Sequence, residues 1–128
     1  MEQKEIKSFF DLLAWQKGHQ FVLMLYRAME RFPADEKFGL VSQMKRASVS
    51  ITSNIAEGFS RYGSADKINF YRFSKGSITE IQNQLVISKD LKYINEKEFK
   101  ELFEQLTVVQ KLVSGLIGGI KVRGDKKK

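Results

Sequence analysis

Cysteine is absent from the chain, so neither a disulfide framework nor a thiolate metal site can form. Proline occurs once, at Pro33, and histidine once, at His19. A di-iron bundle needs paired Glu-x-x-His motifs with inward carboxylates, and a single histidine with no glutamate three residues before it excludes that class. The longest apolar run, Phe21 to Tyr26, is far too short to span a bilayer. The N-terminal residues MEQKEIK mix charges and lack the apolar stretch of a signal peptide, so the expected location is the cytoplasm, away from membranes.

What is present is a globular composition of 42% apolar and 29% charged residues, enough in 128 positions for one domain with a core. The net charge is +7. More than half of it, +4, comes from residues 121–128, KVRGDKKK. That segment is expected to be a disordered basic tail, either solubilising or polyanion-binding, following a folded unit at 1–120.

Four amphipathic helical segments are expected, with no β-hairpin signal. The first opens at Ser8, with Asp11 three residues on, and runs to Pro33. Its seam is read as Leu12, Trp15, His19, Val22, Tyr26 and Met29, at steps of three and four. The second carries Leu40, Met44, Ala47, Ile51 and Ile55 and ends near Arg61, with Tyr62 and Gly63 making a turn. Ser64 is expected to cap the third, whose apolar set is Ile68, Tyr71, Ile78, Ile81, Leu85 and Leu91. Asn95 and Glu98 mark the start of the fourth, followed by Phe99, Leu102, Leu106, Val109, Val113, Leu116 and Ile120. Four helices with short connections imply an all-α, antiparallel up-down-up-down four-helix bundle.

Two features exceed what a minimal bundle requires. Apolar residues of the first helix cover about 200° of its circumference, against the roughly 100° of a helix with one buried face. Phe21, Leu25 and Phe32 then fall on a flank beyond the seam, buried either within the bundle or at a subunit interface; Phe21 and Leu25 are the interface candidates. The second helix carries a polar stripe of Gln43, Arg46, Ser50, Asn54, Glu57 and Arg61. The favoured expectation is a buried structural network in which Glu80 of the third helix bridges to Arg46, with Asn54 and Glu57 as further members. A gripping surface is the other reading.

Catalytic patterns are weak. His19 on an apolar seam is expected to be a hydrogen-bonded core residue. Ser42-Gln-Met-Lys45 matches a Ser-x-x-Lys signature, but the companion motifs of that class are missing. The glycines form no phosphate-cradling loop. No enzyme activity, cofactor, metal or small-molecule substrate is expected.

Several pieces together resemble the four-helix-bundle family of proteins encoded in intervening sequences of bacterial 23S ribosomal RNA genes. They are F-x-D-L-x-x-W-Q-K at Phe9 to Lys17, F-P-x-x-E-x-F-G-L at Phe32 to Leu40 and S-Q-M-K-R-A at Ser42 to Ala47. S-I-x-S-N-I-A-E-G at Ser50 to Gly58 and G-S-x-x-E at Gly76 to Glu80 complete the set. Where the family often has alanine two residues before that Gly-Ser, this chain has Ser74. The resemblance implies a homopentameric ring without catalytic residues. It also implies kinship with accessory proteins of diversity-generating retroelements, which bind nucleic acid and work with a reverse transcriptase.

The expected function is therefore a nucleic-acid-binding oligomer, RNA favoured, with a protein-binding scaffold as the alternative. Candidate phosphate contacts are Lys67, Arg72 and Lys75 on the third helix and Lys121, Arg123, Lys126, Lys127 and Lys128 on the tail. Phe70, Tyr71 and Phe73, which lie among the first group, are expected to be core rings.

Overall fold

A computed structural model describes residues 5–126, with side chains through Gly124. The described residues form four α-helices and no strand. The helices are α1 (Leu13–Met29), α2 (Leu40–Ser60), α3 (Ser64–Asp90) and α4 (Glu96–Lys126), with 3-10 turns at Phe9–Asp11 and Ala34–Glu36.

Local chemistry explains most helix ends. Asp11 accepts hydrogen bonds from the backbone of Lys7 and Ser8 at 3.0 and 3.1 Å, which holds a 3-10 turn; α1 itself begins only at Leu13. Pro33, lacking an N–H, halts the continuation past Phe32. Glu36 then accepts from the Leu40 amide at the start of α2 and from the Tyr93 hydroxyl, tying the first connection to the last. Asn95 and Glu98 exchange side-chain to backbone bonds at 2.8 and 3.1 Å, so the capping box expected there is formed. The cap of α3 is Gly63, with Ser64 its first helical residue. At the end of α3, Lys92 adopts φ 66° while Lys92 and Tyr93 donate to the carbonyls of Lys89 and Ser88, the αL termination usually given to glycine.

Each helix packs on two neighbours: α1 on α2 and α4, and α3 on α2 and α4. Across two of these pairs, α1 with α4 and α2 with α3, the contacting residue numbers rise in one helix as they fall in the other. Gln105 donates to Lys17 and Glu98 pairs with Arg31 across α4 and α1. Ser74 donates to Ile51, and Ser88 to the sulfur of Met44, across α3 and α2.

The core is lined by Phe21, Leu25, Met44, Ile51, Ile55, Ile78, Ile81, Leu85, Leu106, Val109 and Val113, all wholly shielded from solvent. This corrects the reading of the first helix. Phe21 and Leu25 belong to the bundle's own core and are not a free interface. His19 and Tyr26, expected on the seam, are exposed, and Trp15 and Val22 are half-buried. The buried line on α1 is Ala14, Gly18, Phe21, Leu25 and Ala28, also at steps of three and four, joined at the helix end by Met29, which the expected seam did include. Small residues decide the phase: a Cβ on Gly18 would lie 3.1 Å from Thr52 Cγ2, so this face alone lets α2 approach closely.

The tail boundary is also corrected. Helix α4 continues without a break from the bundle through Lys126, so residues 121–126 are helical; Lys127 and Lys128 lie outside the described residues.

Candidate nucleic-acid interface

The stripe on α2 is a surface and not a buried network. Arg46, Glu57 and Glu80 are all exposed, and no Arg46–Glu80 bridge exists among the described residues. Glu57 pairs instead with Arg61 at 3.2 Å, one turn along the same helix. Asn54 bonds Ser50, through both its carbonyl and its hydroxyl at 2.9 Å, and Ser50 bonds Ser77 of α3 at 2.9 Å. The expectation failed because a helical wheel gives relative angles only. The side of α2 that faces the core is taken by Ala47, Ile51 and Ile55, leaving Arg46 and Glu57 outside.

Two stripe residues, Ser50 and Asn54, line one wall of a shallow α2–α3 cleft of about 470 Å³, completed by Arg72, Phe73, Gly76, Ser77 and Glu80. Two motif pieces separated by 17 residues, Ser50–Gly58 and Gly76–Glu80, thus meet at one groove. Phe73, expected in the core, is exposed, whereas Tyr71 is buried as expected and Phe70 half-buried.

The expected cations do not form one face. Arg72 belongs to the cleft. Lys75, three residues on toward the middle of α3, is half-buried and does not border the cleft. Lys67 turns to the end of α2, where its ammonium donates to the carbonyls of Gly58 and Phe59 at 3.3 and 2.7 Å. Those carbonyls belong to the last turn of a helix and carry partial negative charge, so a cation is favoured there.

Arg123 of α4 reaches the same end of the bundle. Burial lowers the Lys67 pKa below 10.5, and the Arg123 charge lowers it further. Burial raises the Tyr71 hydroxyl above 10.0, with Arg123 acting the other way. Lys121 is exposed two residues before Arg123, on another side of α4, and Lys126 lies on the same helix with its side chain beyond those described.

Arg61 completes this end, its guanidinium 4.6 Å from the centre of the Phe70 ring, while the Lys67 ammonium lies 5.4 Å from that of Phe59. Between Arg61 and Gly63, the side chain of Tyr62 is fully exposed. Sequence reasoning assigned Arg61 to the polar stripe and Tyr62 to the turn only. The available signal was an aromatic ring beside a cation in a connection too short to fold back on the core.

Elsewhere, His19 stacks on Trp15 with ring centroids 4.8 Å apart and planes 9° apart, a surface pair and not a core hydrogen bond. Among the described residues, no group of three or more His, Asp or Glu side chains is placed to hold a metal ion. No helix among them is long and apolar enough to cross a membrane.

Four helices packed in a ring, with a cation-bearing end and a polar cleft between α2 and α3, define an all-helical bundle protein with surface sites. The chain matches the 23S rRNA-intervening sequence protein family over residues 10–115, most of its length, and belongs to that family. Its fold is similar to the crystal structure of a protein of unknown function from the S23 ribosomal protein family of Bacteroides thetaiotaomicron. The TM-score is 0.75 at 20% identity, covering 83% of this chain and 96% of that one. No curated protein matches the chain.

Proposed function

We propose that this is a non-enzymatic nucleic-acid-binding protein, with RNA the favoured partner. One observation carries the reading: the bundle end gathers Arg61, Lys67 and Arg123, and of these only Arg61 has a carboxylate partner among the described residues. Such cations offer sequence-independent contacts to phosphates. The family's name, which refers to insertions in 23S ribosomal RNA, makes RNA the first partner to test.

The reading includes an up-down-up-down bundle, supported by the opposed numbering of the paired contacts, and assembly into a homopentamer in the cytoplasm. Exposed Leu13, Leu23, Tyr26 and Val49 on α1 and α2 supply apolar surface for a neighbouring subunit. Five copies of a +7 chain would carry +35 and amplify attraction to a polyanion. An accessory role beside a reverse transcriptase of a diversity-generating retroelement is the proposed cellular setting. A non-catalytic role is supported by the engaged cleft hydroxyls: Ser50 accepts from both Asn54 and Ser77.

A protein-binding scaffold is the second reading, favoured by the exposed Phe73 beside the cleft. Retention on immobilised RNA under rising salt separates the two. Steep salt-dependent release supports nucleic-acid binding; absence of retention at low salt, with size-exclusion showing an assembled protein, supports the scaffold.

A further inference from the structure

We propose that the α2–α3 turn is a stacking platform for single-stranded nucleic acid, with Tyr62 receiving the face of an unpaired base. The inference rests on the nucleic-acid reading above and adds to it a named subsite and a strandedness. Three residues, Arg61 to Gly63, join two long helices. The turn is tied down on both sides, by the Arg61 amide donating to Gly58 and by the Lys67 amide donating to Gly63, at 3.3 and 3.0 Å. The backbone that carries Tyr62 is therefore fixed by a short, hydrogen-bonded connection, which limits the ordering cost on binding. Space beside it is open: a Cβ placed on Gly63 would meet nothing within 4 Å.

The surroundings suit a strand whose phosphates flank a stacked base. Arg61, next to Tyr62 in the chain, is anchored by Glu57 and Phe70. Lys67 uses two of its three N–H groups on the carbonyls of Gly58 and Phe59, which leaves one for a phosphate oxygen. Arg123 adds exposed positive charge from α4, against Asp66 in the first turn of α3. Phe38, the other highly exposed ring, has one cation over it, Lys37 at 5.5 Å, but its connection also carries Asp35 and Glu36, so the net charge there is negative. Bases in a duplex present no free face to a ring on a turn, so this arrangement selects unpaired bases.

The test is fluorescence anisotropy on the full-length protein with three probes: a short single-stranded oligouridylate, a duplex of equal length, and a single-stranded oligonucleotide lacking bases. Tyr62→Ala should weaken oligouridylate binding roughly tenfold, within the range found for base–aromatic stacking. Tyr62→Phe should retain it, and neither change should alter duplex binding or the salt slope, because no charge is removed. Wild type should bind the abasic strand about as weakly as Tyr62→Ala binds oligouridylate. Unchanged oligouridylate affinity in Tyr62→Ala, or equal loss on duplex, overturns the platform while leaving nucleic-acid binding intact. No binding of wild type to any probe overturns both. Circular dichroism guards against misfolding of the variant.

Discussion

The ring of Tyr71 lies so close to Gly58 that a Cβ built on the glycine would stand 2.6 Å from Cε1 and 2.9 Å from Cδ1. Both residues are buried, and Phe70 Cβ closes the same space at 3.2 Å. The ring cannot swing into solvent, so Gly58→Ala should force α2 and α3 apart. A loss of about 1–3 kcal/mol is expected from overpacking, outweighing the gain in helix propensity. A denaturant titration showing equal or higher stability would remove the close approach from the account of the fold.

Leu25 and Phe21 provide a second test, since both are wholly shielded within one chain. Leu25→Ala should cost about 2–5 kcal/mol through lost burial and the cavity left behind. Phe21→Glu should give an unfolded chain, because its carboxylate would have no partner among the core side chains. Light scattering with circular dichroism decides the matter. A helical monomer from Phe21→Glu would return these residues to a subunit interface.

Arg46→Ala and Glu80→Ala should each change stability by no more than about 0.5 kcal/mol, as expected for exposed positions without an ion-pair partner. Their effects should be additive, because the two side chains are not joined. Thermal melts of the single and double variants read both quantities. Strong, non-additive destabilisation would show that the side chains meet after all.

Tyr71 makes stability sensitive to alkaline pH. Its hydroxyl is raised above 10.0 by burial, so the folded chain keeps a proton that the unfolded chain releases first. The resulting stabilisation is fully present below pH 10 and is lost as pH rises through the folded value. Lys67 has the opposite sign: its lowered pKa disfavours the folded state below the folded value, and that cost is relieved as pH rises toward 10.5. Tyr71→Phe should therefore flatten the fall in stability above pH 10 measured by denaturant titration. An unchanged alkaline limb would mean that Tyr71 ionises alike in both states.

Four helices, their approximate limits and most of the core of α2, α3 and α4 were legible in the sequence. Strong 3.6-residue periodicity, Pro33 and the Asn95–Glu98 box are local signals, and local signals survive without knowledge of neighbours. The cations of the site were legible as residue types but not as a group. Lys67 and Arg72 are five residues apart on one helix, yet one serves the end of α2 and the other the α2–α3 cleft.

The sequence by itself determined an all-helical chain, because hydrophobic period, caps and the lack of strand signals agree along its length. It did not determine which side of α1 is inside. Two apolar lines at alternating steps of three and four run along that helix, one through Trp15, His19 and Tyr26 and the other through Gly18, Phe21 and Leu25. Tertiary structure chose the second, since Ala14 and Gly18 let α2 come near and the bulkier rings of the first do not. The same packing turned Arg46 and Glu80 to solvent and carried Arg123 to the side of Lys67. Period sets angles around one helix axis; only contact with neighbouring helices sets their origin.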